Sequence, residues 1–169
     1  PGTGEMLCCS RVPFGYVEAP HVACTVSEGV ANELRRRGVK CLCFVDDFLL
    51  RAGDTLEEAY RTAEIFETLM AELGFQWAPH KKVGPSFQVV FLGIEIDTRP
   101  EHFCFRLPAK KTLAVLSELD SFLQMRDRGA VECEASALAG LVGRLAFANN
   151  VIPGARRFLR GLCDALAAA

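Results

Sequence analysis

Residues 44–50 read FVDDFLL, two adjacent aspartates set between two apolar runs, and no other stretch constrains the fold as tightly. The flanks CLCFV (41–45) and FLLRA (48–52) carry the β-branched, aromatic and aliphatic residues that strands favour. A hairpin turning at Asp46–Asp47 is expected, with both carboxylates presented from the rim of a sheet. Aspartate is a favoured turn residue, so a plain polar turn explains the pair taken alone. The pair also suits a hard divalent cation. Mg²⁺ or Mn²⁺ takes carboxylate oxygen, and Mg²⁺ typically binds through one or two carboxylates plus substrate phosphates. Two such ions activate the attacking oxygen and stabilise the leaving one in phosphoryl transfer.

Periodicity places the rest of the chain around this hairpin. Val22, Val26, Val30 and Leu34 mark one helical face over 21–37, closed by Gly38, with Arg35 to Arg37 in the last turn. Beyond the hairpin, Asp54 or Thr55 followed by Glu57 or Glu58 is a capping-box signature. The stripe Leu56, Ala59, Tyr60, Ala63, Phe66, Met70 and Leu73 then predicts a second helix, ended by Gly74. Residues 74–82 read as a strand or loop, and Pro79 excludes a central paired strand. Stretches 89–96 and 102–107 are expected to pair antiparallel around residues 97–101, with Phe91 and Gly93, then Phe103 and Phe105, as same-face pairs. After Pro108 the composition turns helical. Leu113, Leu116, Leu119 and Leu123 mark one helix over 110–125, and Leu138, Leu141, Val142 and Leu145 a second over 134–149. A short third carries Phe158, Leu159, Leu162 and Leu166, with Pro153 in its first turn. This order predicts an α+β layer, residues 1–107, followed by a helical subdomain, residues 108–169.

A net charge of −2 gives no global basic field of the kind that marks a general nucleic-acid binder. Basic residues gather locally instead, at Arg35–Arg36–Arg37 with Lys40, Lys81–Lys82, Lys110–Lys111, and Arg156–Arg157 with Arg160. Each cluster alone reads as a solvated face. The eight cysteines show no CxxC knuckle and no zinc-type spacing with histidine, so packed thiols in a reducing, intracellular compartment are expected. Cys8–Cys9 is the pair most open to redox chemistry. No apolar run is long enough for a membrane span, and no secretory signal opens the chain. The first residue is Pro, as expected of a processed product or a fragment.

Four strings in order carry a family resemblance. VPFGYVEAP (12–20) resembles the L-P-F-G-x-x-x-A-P segment of reverse transcriptases, and FVDD their aromatic-x-D-D box. GFQWAPHKK (74–82) is similar to the G-x-x-x-N-x-x-K stretch, and VVFLGIEID (89–97) to the F-L-G primer-grip strand. The resemblance spans roughly residues 10–160 and is closest in flavour to tyrosine-recombinase-type (DIRS-like) retrotransposons. It implies a partial polymerase palm, an antiparallel sheet with two helices, followed by thumb-like helices.

The resemblance also implies roles. Asp46 is the principal ligand of two Mg²⁺ or Mn²⁺ ions and Asp47 the weaker one. Pro13, Phe14 and Gly15 lie on the nucleotide and template side. A lysine, Lys81 or Lys82, sits near the nucleotide phosphates, although Ala78 stands where the family usually has Asn. Phe91, Leu92 and Gly93 form the primer grip. The family's further catalytic Asp belongs to a strand upstream of the P-F-G segment. Every Asp here lies at position 46 or later, so that strand and the fingers are expected to be missing and the chain alone inactive.

The expected function is therefore part of an RNA-directed DNA polymerase acting on an RNA template and DNA primer, completed by an upstream part or by a protein partner at an open palm edge. The alternative is a reverse-transcriptase-derived, non-catalytic subunit that binds RNA or protein. A stand-alone nuclease ranks lower, since no second acidic cluster stands out.

Overall fold

The computed structural model describes residues 12–13, 15–76, 78–128 and 133–167. Helix α1 (Ala19–Arg36) has Pro in its opening turn, where an N–H is not needed, and Arg35 and Arg36 in its last turn, where cations offset the dipole. Strands β1 (Cys41–Phe44) and β2 (Asp47–Leu50) form a two-stranded antiparallel sheet in the register Cys41↔Leu50, Phe44↔Asp47. Helix α2 (Leu56–Glu72) starts at a full capping box. The Thr55 hydroxyl accepts from the Glu58 N–H at 3.2 Å, and the Glu58 carboxylate accepts from the Thr55 N–H at 3.2 Å.

These elements close on one core of Val30, Ala31, Leu34, Val39, Cys41 and Leu69, with Phe48 and Phe66 packed against it, their ring centroids 5.7 Å apart. Only part of each expected stripe is buried. Val22 and Val26 of α1, and Tyr60 of α2, are exposed, because the packed partners reach only the C-terminal half of α1. Arg37 reaches from α1 to Glu72 of α2 at 2.7 Å while its Nε pairs with Glu33 at 3.1 Å.

Strands β3 (Gln88–Phe91), β4 (Ile94–Asp97) and β5 (Cys104–Arg106) form a three-stranded antiparallel sheet in sequence order. The stretch 89–96, expected as one strand, is two strands joined by a turn at Leu92–Gly93, with Phe91 opposite Ile94. Gly93 is therefore a turn residue and forms no same-face strand pair with Phe91. The β4–β5 pairing expected around residues 97–101 is present, and Phe103 and Phe105 meet edge to face at 5.5 Å.

Helices α3 (Ala109–Asp127), α4 (Ala135–Ala148) and α5 (Arg156–Ala167) follow. In α3 the buried position is Val115, with Leu119 and Phe122 half-buried, while Leu113, Leu116 and Leu123 of the expected stripe are exposed. Two neighbouring rows of this helix are apolar, and periodicity cannot choose between them. Pro153 lies in the turn before α5, not within the helix.

The class is α+β, with five α-helices and two small antiparallel sheets among the described residues. The chain comprises two compact units, Pro1–Ser86 and Phe87–Ala169. Cys41 is buried, Cys24, Cys43 and Cys104 half-buried, and Cys133 and Cys163 exposed, all as free thiols. Burial pushes the Cys43 thiol up, away from the reactive thiolate. Cys8 and Cys9 lie outside the described residues. No helix among those residues is long and apolar enough to cross a membrane.

Candidate functional site

The β1–β2 register makes Val45 and Asp46 the turn residues, one position earlier than expected, and Asp47 the first residue of β2. Val45 has φ +54°, in the left-handed region, where a β-branched side chain is strained. Asp46 keeps a negative φ, so only the first central residue of the turn is left-handed. Glycine is the usual occupant of that position in a two-residue hairpin. Such strain costs on the order of 1–3 kcal/mol and persists where the surroundings impose it, commonly at functional sites. The Val45 carbonyl accepts from the Cys43 thiol at 3.8 Å.

Asp46 and Asp47 are both exposed, and their side chains make no hydrogen bond or ion pair among the described residues. Their donor chemistry, hard carboxylate oxygen with no ion-pair partner among the described residues, fits a Mg²⁺ or Mn²⁺ ion shared with substrate phosphates. No group of three His, Cys, Asp or Glu able to hold an ion is assembled among the described residues, and the hairpin contributes two carboxylates.

The two lysines of 74–82 are separated by their surroundings. Lys81 closes a 3₁₀ turn (Pro79–Lys81), its N–H bonded to the Ala78 carbonyl at 2.9 Å, and its exposed ammonium has no partner among the described residues. Lys82 is tied to Glu67 of α2 by an ion pair. On the N-terminal side, the Pro13 carbonyl accepts from Tyr16 N–H at 3.3 Å, and Gly15 has φ +87° at the turn position that demands it. Phe14 and Trp77 lie outside the described residues.

In the second unit, Leu92 (φ +49°) and Gly93 (φ +77°) are both left-handed, the pattern of a type I′ hairpin turn. Lys111, in the first turn of α3, donates to the Gly93 carbonyl at 3.3 Å, and its ammonium lies 4.5 Å above the ring of Phe147 on α4. At the other end of the hairpin sits Asp97, fully buried. Arg99 grips it in a fork, Nε to Oδ1 at 3.0 Å and Nη2 to Oδ2 at 2.5 Å, and Gln88 across the ladder donates at 2.8 Å. The hydrogen bonds from Arg99, then that from Gln88, hold its carboxyl well below the usual carboxylate range, against the opposing effect of burial.

Sequence reasoning missed the strain at Val45, the Asp97 cluster and Lys111. Only the last left a signal. Lys110 and Lys111 occupy the first turn of a helix that has no acid there, where the dipole disfavours cations. The other basic clusters behave as solvated faces: Arg35 bonds to Asn32 and to the Cys41 carbonyl, Arg36 to Glu33, and Arg157 lies over Phe158.

A family model described as reverse transcriptase (RNA-dependent DNA polymerase) matches residues 2–96, more than half of the chain. The match takes in the P-F-G segment, the FVDD hairpin and the Leu92–Gly93 turn. No curated protein and no solved structure gives a match.

Proposed function

The chain belongs to the reverse transcriptase family, and from that premise we propose that residues 1–107 are the palm and residues 108–169 the thumb-side helices of a retrotransposon-type RNA-directed DNA polymerase. The observation that carries this reading is the Asp46–Asp47 pair, exposed and with no side-chain partner among the described residues, where a strained two-residue turn enters β2. A plain surface turn has no need of a valine at a glycine-type position. The family binds a nucleic-acid template and primer and generally uses divalent metal ions.

In this reading Asp46 holds Mg²⁺ or Mn²⁺ as the principal ligand and Asp47 assists. When bound, the ions supply charge stabilisation at the attacking 3′-oxygen and at the departing pyrophosphate. Lys81 is the lysine for the nucleotide phosphates, since Glu67 neutralises Lys82. The Pro13–Gly15 turn lies on the nucleotide and template side, and the Phe91–Gly93 turn supports the primer backbone. A further carboxylate is supplied from outside these residues, on a strand that pairs along an open edge of the two-stranded sheet. Among the described residues that sheet has two strands and no strand partner on either edge, which is marginal by itself.

The test is primer extension by the intact native protein and its Asp46→Asn variant. The variant is expected to lose about 10²-fold or more in kcat, the scale on which one charge-stabilising group acts. Extension at the wild-type rate sinks the reading. Ala78, standing where the family usually has Asn, favours the second reading of a non-catalytic subunit that binds RNA or protein; wild-type protein that binds primer–template without extending it supports that one.

A further inference from the structure

We propose that Lys111 is the positioning residue of the Leu92–Gly93 turn, holding that turn in its left-handed form against the helices for the primer strand. The proposal rests on the polymerase reading for the turn's ligand, but its geometry stands independently. A type I′ turn asks two residues for positive φ, and Leu92 does so only against the steric cost of its Cβ. An isolated turn of that kind relaxes unless something outside it holds it. The Gly93 carbonyl is a turn carbonyl with no ladder partner, and Lys111 Nζ donates to it at 3.3 Å. The ammonium is steadied in turn by the face of Phe147 at 4.5 Å. One lysine on α3 thus joins the turn to α3 and α4.

Three further observations agree. The ammonium lies against the open face of Gly93, where an added Cβ would push the flexible lysine end aside. Helix stability does not explain the lysine, because a cation in the first turn opposes the dipole. No carboxylate pairs with Lys111 among the described residues, so its charge stays available beside a turn that faces a polyanion. Lys111 itself is exposed, and its role is to hold the turn, not to take part in the chemistry.

The experiment uses the intact native protein with Lys111→Met, Lys111→Arg and Lys110→Met. Two readouts are taken: amide hydrogen exchange at Leu92–Ile94, and KM for primer–template against kcat in extension. Lys111→Met is expected to speed exchange at the turn and raise KM by about fivefold with kcat unchanged, the size of an exposed cation–π contact. Lys111→Arg, which keeps the charge and a donor, is expected to recover most of both. Lys110→Met removes the same charge from the same helix turn without that contact, and exchange at Leu92–Ile94 is expected to stay at the wild-type rate. Unchanged exchange in Lys111→Met overturns the proposal. So does a loosened turn with unmoved KM in a wild type that extends primers, or a Lys110→Met variant that matches Lys111→Met in both readouts. A wild type that extends no primer sinks the polymerase reading alone, and the exchange measurement still decides the role of Lys111.

Discussion

The β1–β2 and β3–β4 hairpins have four-residue strands and two-residue turns, and each turn carries an aliphatic residue at positive φ. They differ in what holds that residue and in what the turn displays. At Leu92–Gly93, glycine takes the second left-handed position, and Lys111 grips the turn from a helix. At Val45–Asp46 no glycine relieves the turn, no side chain among the described residues donates to the carboxylates, and the strands rest on the Leu34–Leu69 core. The first turn is held from below and leaves its carboxylates without a partner among the described residues. The second is held from its tip, with its polar group engaged. In the proposed reading, a hairpin that offers ligands is braced through its strands, whereas one that supports a primer backbone is braced at the turn.

The largest test of that contrast is chemical. Asp46→Asn, with its expected loss of about 10²-fold or more in kcat, should leave thermal unfolding unchanged, because the exposed carboxylate has no partner among the described residues. A drop in unfolding temperature comparable to that of a core variant breaks the contrast. Next comes the brace beneath the first hairpin. Leu34→Ala, at a fully buried position, is expected to cost about 2–5 kcal/mol in denaturant unfolding. If the loss is only a few tenths, the core does not hold the strained turn.

Asp97 sharpens the comparison at the base of the second hairpin, with a smaller expected effect. Its folded-state pKa is depressed, so the stability it adds is fully present above its unfolded value of about 3.9. That stability is lost as pH falls below this value toward the lower folded one. Asp97→Asn is expected to lower stability at neutral pH and to flatten the loss between about pH 4 and pH 2. An acid limb as steep as the wild type's assigns that limb to other carboxylates.

The smallest effects belong to the turns. Val45→Gly removes the steric cost and is expected to change stability by about 1 kcal/mol or less, while slowing extension by loosening the Asp46 carboxylate. Leu92→Gly is expected to be similarly mild in stability, since the lysine still grips the following carbonyl, and to act through the freer turn on primer KM, not on kcat. Equal effects of the two substitutions on kcat and KM erase the distinction between the hairpins.

What the sequence determined by itself is local. The capping box at Thr55 and Glu58, the helix closures at Gly38 and Gly74, and the hairpin around two aspartates depend on residues a few positions apart. The order of motifs carried the family, because motif order survives where individual positions drift. The tertiary structure decided whatever depends on a distant partner. Both rows of α3 are apolar, and packing alone selected Val115 over Leu113. Lys81 and Lys82 are adjacent and chemically identical, and Glu67, fifteen residues from Lys82 along the chain, separates their surroundings. The left-handed valine and the lysine behind the second turn fall in the same class. No local propensity asks for either, and each exists because contacts made elsewhere in the fold outweigh its local cost.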